Sequence, residues 1–95
     1  MIYVTSHAYE KGRERLSLNK KSLLKLTTTA FERGLKHTDL KASLKKYIDK
    51  LFFNNSGRSK NFNIRIYGEV LFIFDNERLI TLYQIPSNLK KYTKL

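Results

Sequence analysis

The stretch at residues 61–86, NFNIRIYGEVLFIFDNERLITLYQIP, decides the fold. It alternates with a period of two and is rich in Ile, Phe, Tyr and Thr, so it reads as strands. Three strands are predicted, over 62–67, 70–74 and 79–85. Gly68-Glu69 makes a two-residue hairpin loop of the Gly-X kind. Asn76-Glu77, flanked by Asp75 and Arg78, makes the second turn. Pro86, the single proline, ends the last strand because it has no N–H for the ladder. Hairpin loops set register, and register decides which residues share a face. The predicted pairs are Tyr67 with Val70, Arg65 with Phe72, Phe72 with Thr81 and Val70 with Tyr83. One face then holds Ile64, Ile66, Leu71, Ile73, Ile80 and Leu82 and must pack on helices. The other holds Arg65, Tyr67, Phe72, Thr81 and Tyr83, with Asn63 and Val70.

That second face admits two readings. An open sheet face ordinarily carries plain polar side chains. Rings beside a guanidinium suit stacked bases and phosphates. They equally suit cross-strand aromatic pairs in an ordinary sheet.

Upstream of residue 61 the pattern is helical. Residues 2–5 are short, β-branched and aromatic, fitting a brief edge strand or an ordered lead-in. Ser6 is a candidate cap for a helix over 7–16, weakened by Gly12 by up to about 1 kcal/mol. Asn19 is a candidate cap for a helix over 20–33, with Leu23, Leu26, Ala30 and Phe31 at helical spacing and Gly34 as its terminator. The run Thr27-Thr28-Thr29 forms helix poorly. Thr38 is a candidate cap for a third helix, in which Leu40, Leu44, Tyr47, Ile48, Leu51 and Phe52 mark one face. Residues 54–60, NNSGRSK, read as a polar loop. The fold class is therefore α+β. Two to three N-terminal helices pack on one face of a three- to four-stranded antiparallel sheet, with a β-meander at the C-terminus. Residues 1–95 make a single domain, in which 87–95 is a loose basic tail.

Composition narrows the partner. Ninety-five residues hold 19 Lys and Arg against 8 Asp and Glu, a net charge of +11. Such an excess destabilises a compact chain by self-repulsion. A phosphate backbone rewards it through counterion release. The competing reading is a lysine-rich composition that serves only solubility. There is no Cys, so disulfides, thiolate catalysis and Cys-based zinc sites are excluded. The eight acids are scattered and form no paired-carboxylate or metal-ligand motif, and no Gly-rich phosphate loop occurs. No metal and no cofactor is expected. No run approaches the roughly 20 apolar residues of a membrane span. The opening MIYVTSHAYEKG does not read as a signal peptide. A cytoplasmic location is expected.

One cluster carries chemistry. His7 opens the first helix, Lys11 and Arg15 follow at i+4 and i+8 on one helical face, and Arg13 lies to the side. Two cations in line with a His make sense around a phosphate. Cleavage of RNA through its 2′-hydroxyl needs a proton carrier titrating near neutrality and fixed positive charge at the phosphorane. A solvated basic helix with an incidental His is the alternative. His37 has no polar company in sequence and reads as a surface bystander.

The run Ser6-His7-Ala8, Lys11 and Arg15, the central strand over 67–74, and Leu79-Ile80-Thr81-Leu82-Tyr83-Gln84-Ile85-Pro86 together resemble small phage and mobile-element proteins of the barnase/colicin-tail/RelE-like nuclease superfamily. The resemblance covers most of residues 5–86. It implies a metal-independent endoribonuclease acting on RNA such as tRNA or mRNA. His7 would be the acid/base, Lys11 and Arg15 the phosphate ligands, and Thr81 and Tyr83 the sheet residues facing the scissile phosphate. From the helix and sheet-face patterns, apart from the resemblance, Arg13, Arg65, Tyr67 and Phe72 would complete the RNA contact. Lys11 departs from the expected Arg; it is a point charge without a planar fork. Two other expectations follow. One is a non-catalytic binder of nucleic acid or of a host ribonucleoprotein, such as a phage anti-CRISPR inhibitor. The other is a toxin-like module neutralised by an acidic protein inhibitor.

Overall fold

The protein is described by a computed structural model over residues 2–40, 42–53 and 62–93, with backbone only at 42, 51–53, 62, 92 and 93. Strand β1 (Tyr3–Val4) leads into helices α1 (Ser6–Leu16) and α2 (Lys20–Arg33). A 3-10 turn (His37–Asp39) precedes α3 (Ala42–Phe53). Strands β2 (Phe62–Tyr67), β3 (Val70–Asp75) and β4 (Arg78–Gln84) follow, and a 3-10 helix spans Ser87–Thr93. The class is α+β, with helices first and the meander last. The sheet order is β1-β4-β3-β2. The sheet is mixed rather than antiparallel, because β1 runs parallel to β4 through Tyr3↔Arg78 and Val4↔Leu79. The meander leaves the outer edge of β4 open, and the N-terminal segment takes its first two positions. There Tyr3 N–H donates to the Glu77 carbonyl at 2.9 Å and Thr5 N–H to the Leu79 carbonyl at 3.2 Å.

Caps and close approaches place the helices. Thr5, one residue before the expected cap, starts α1: its hydroxyl accepts from the Ala8 N–H at 3.1 Å and donates to the Leu79 carbonyl at 2.9 Å. The same side chain thus ends a helix and ties it to β4. Asn19 caps α2 as read, its Oδ1 accepting from the Ser22 N–H at 2.8 Å. Thr28 and Thr29 return their hydroxyls to the Leu24 and Lys25 carbonyls, so the threonine run is accommodated within the helix. Gly12 is a packing requirement: a Cβ there would lie 2.5 Å from Leu23 Cδ2, so α2 lies against bare backbone. Gly34 does not end α2 in the left-handed conformation; its φ is −70°. Its lack of a side chain is needed because a Cβ would meet the Ala30 carbonyl oxygen at 2.5 Å. That approach lets Leu35 exchange backbone hydrogen bonds with Ile66 of β2. The third helix starts later than expected. Thr38 sits in the 3-10 turn, where the Asp39 carboxylate accepts from the Lys36 N–H at 2.9 Å.

Helices cover both faces of the sheet. Ile64, Ile66, Leu71 and Ile73 pack with Leu44 and Ile48 of α3. Val70, Phe72, Phe74 and Leu82 pack under Ala8 of α1 and Leu23 and Ala30 of α2. Two helices share one face, as expected, and the third lies on the other. Val70–Phe74 is consequently buried without interruption. The aromatic face belongs to the core: Phe31 meets Phe74 edge-on at 5.0 Å and Phe72 stacks on Phe74 at 6.5 Å.

The first hairpin has the predicted register, Tyr67↔Val70 and Arg65↔Phe72. Gly68 and Glu69 both have positive φ, 59° and 65°, so the turn is of the I′ kind. The second hairpin is shifted. Ile73 pairs with Thr81 and Phe74 with Leu79, leaving Ile80 as an extra residue in a β-bulge. Phe72 therefore faces Leu82 rather than Thr81, and Thr81 and Tyr83 turn to the α3 side. The tail also departs from expectation, since Ser87–Thr93 is 3-10 helix and Leu89 is buried against the α3-side core. The polar loop at 54–60, residues 94–95, and the side chains of Leu51 and Phe52 lie outside the described residues.

Candidate functional site

Helix α1 buries Ala8 and Gly12 and leaves two flanks. Arg15 reaches β4 from one flank, and His7 and Lys11 share its side of the helix by their spacing. Beyond Leu79 no strand pairs with the outer edge of β4 among the described residues, and Arg15 covers part of that edge. Its Nη1 donates to the Leu82 carbonyl at 2.6 Å. Its guanidinium carbon lies 4.5 Å from the centre of the Tyr83 ring. The Gln84 amide donates back to the Arg15 carbonyl at 3.0 Å. A cation across an open strand edge also blocks sheet-to-sheet pairing. Of the five N–H donors of a guanidinium, one is used at Leu82. Lys11 lies one turn from Arg15, its ammonium 3.1 Å from the Glu14 carboxylate. His7 is exposed in the first turn of α1. Thr81 is half-buried and shares the sheet face of Tyr83. The bulge at Ile80 thus puts Tyr83 where Arg15, wrapping the edge, can lie on its ring.

Three predicted residues lie elsewhere. Phe72 is fully buried, so its ring cannot meet a base. Arg65, on β2, is held from several sides. Its Nε donates to the Phe31 carbonyl at 3.1 Å, and Nη1 donates to Asn63 Oδ1 at 3.0 Å and to the Ile64 carbonyl at 2.9 Å. Its guanidinium lies 4.9 Å from the Phe31 ring centre. Burial lowers its pKa, and the Asp39 carboxylate opposes that shift. Arg65 thereby satisfies a carbonyl in the last turn of α2. Tyr67 packs half-buried in the same core as Phe31. All three side chains were expected on an open face, and α1 and α2 cover that face.

On the other flank of α1, Arg13 is exposed and borders a groove of about 460 Å³. Ser6, Tyr9, Glu10, Leu18, Asn19 and Lys20 complete its lining. The Lys20 ammonium lies 5.5 Å from the Tyr9 ring centre. Tyr9 and Lys20 had escaped the sequence reading, although Tyr9 precedes Arg13 by one helical turn. His37 is no bystander: its Nε2 sits 2.5 Å from Asp49 Oδ1, joining the 3-10 turn to α3. Among the described residues no three His, Asp or Glu side chains come together as a metal site requires, and no helix is long and apolar enough to cross a membrane. No family model, curated protein or solved structure matches this chain.

Proposed function

We propose that this chain is a metal-independent endoribonuclease of the barnase/RelE-like kind, carried by a phage or mobile element, with its site on the ridge between α1 and β4. The supporting observation is the contact of Arg15 with the Leu82 carbonyl and the Tyr83 ring. It joins, on one surface, a helix residue and a sheet residue that the resemblance puts in one site. The net charge of +11 supplies the attraction for RNA. His7 takes the proton of the 2′-hydroxyl, whose oxygen bonds to phosphorus. The bond from phosphorus to the 5′-oxygen breaks, and the proton passes to that oxygen. Lys11 and Arg15 carry the charge that builds on the phosphorane, and Tyr83 and Thr81 position the nucleotide. The products are a 2′,3′-cyclic phosphate and a 5′-hydroxyl.

A second reading, a non-catalytic binder of a host ribonucleoprotein such as an anti-CRISPR inhibitor, is favoured by a specific observation. The Lys11 ammonium is committed to Glu14 and one Arg15 donor to Leu82, which dilutes the charge offered to a phosphorane. His7→Ala decides between the two. The nuclease predicts a loss of cleavage of about 10²–10⁴-fold with RNA affinity nearly unchanged. Full activity in His7→Ala removes His7 from the chemistry. An inactive wild type whose Arg15→Ala variant loses a host complex makes the same ridge an inhibitor's binding face.

A further inference from the structure

The groove on the far flank of α1 has no part in that chemistry, and its lining is unusual. Arg13 and Lys20 bring two cations to one hollow, with Glu10 the single carboxylate in the lining. Lys20 opens α2, whose first turn carries no acidic residue. Positive side chains at that end of a helix are unfavourable and gain from an anion. Beside the cations lie an aromatic ring, Tyr9, and an aliphatic side chain, Leu18, with hydroxyl and amide groups from Ser6 and Asn19. About 460 Å³ falls in the range of small-molecule sites and far exceeds what a bare phosphate fills. A base on an apolar wall with its phosphate on two cations matches this lining.

We infer that the groove is a subsite for one nucleotide: the base lies against Tyr9 and Leu18, and Arg13 and Lys20 bind the phosphate. This rests on the reading of the chain as an RNA-cleaving protein, and it adds where a neighbouring nucleotide of the same strand is held. Ser6 lines the groove and His7 is the next residue, so the groove and the ridge meet at the start of α1. RNA following that route passes the N-terminal end of the helix, with Glu10 the one acid in the groove lining.

Titrating ¹⁵N-labelled protein with adenosine 5′-monophosphate, and separately with inorganic phosphate, tests the subsite without requiring cleavage. Shifts of the amides of Tyr9, Arg13 and Lys20 are expected with the nucleotide. Inorganic phosphate should bind at least about fivefold more weakly, since stacking a base contributes about 1–3 kcal/mol. Tyr9→Leu should remove that difference, and Lys20→Gln should weaken both ligands. Lys45→Gln, on α3, serves as the charge control and should change neither. Equal affinity for nucleotide and phosphate overturns the base wall. No shift at these amides with either ligand overturns the subsite even if RNA is cleaved. A nucleotide seated there in a protein that cleaves no RNA upholds the subsite and refutes the nuclease reading instead.

Discussion

Thr27 is the buried polar side chain among the described residues, fully enclosed in α2, and its hydroxyl finds no hydrogen-bond partner. Its neighbours Thr28 and Thr29 bond to carbonyls one turn back. Burying an unpaired hydroxyl costs roughly 1–3 kcal/mol in proteins, and Val has the same shape and a similar helix propensity. Thr27→Val is therefore expected to stabilise the fold by about 1 kcal/mol and raise Tm by about 4–8 °C. A lower Tm in thermal unfolding would mean that the hydroxyl has a partner. At this scale the sequence was informative where spacing alone decides neighbours. His7, Lys11 and Arg15 share a helix flank because i, i+4 and i+8 always do. It was uninformative for Phe72 and Arg65, whose surroundings depend on what covers the sheet.

Elements were legible where their own residues carry the signal. The period-two run and the Gly68-Glu69 turn placed β2 and β3 with the correct register. The bulge at Ile80 was not legible, because no residue type announces it and a single extra residue turns Thr81 and Tyr83 to the opposite face. An edge strand was one of two readings for the residues of β1, and its parallel partner 75 residues later in the chain depends on tertiary packing. The tail looked loose because SNLKKYT carries two lysines and one apolar anchor, Leu89, and only the fold shows where that anchor goes. Leu89→Ala tests this element. With Leu89 buried against the α3-side core, the substitution is expected to cost about 2–4 kcal/mol in denaturant unfolding. Unfolding indistinguishable from wild type would return residues 87–93 to a loose tail.

For the whole molecule, the three-layer arrangement leaves the proposed RNA contact to charge rather than to an open sheet face. With α1 and α2 on one face and α3 on the other, the sheet offers no broad platform for bases among the described residues, and in the proposed function the attraction falls to cations on α1 and at the edge of β4. The composition raised the expectation of a polyanionic partner, which stands as a proposal, and could not reveal the covering. The fold joins two residues of the proposed site, Arg15 and Tyr83, and keeps Arg65, Tyr67 and Phe72 away from it. In the proposed function this ridge cleaves RNA without a metal ion. The direct measurement is incubation of purified protein with total tRNA and mRNA in excess EDTA, followed by analysis of the fragment ends. Fragments with 2′,3′-cyclic phosphate and 5′-hydroxyl ends are expected. RNA that stays intact, or cleavage that leaves 5′-phosphates, rules out a metal-independent nuclease acting through the 2′-hydroxyl.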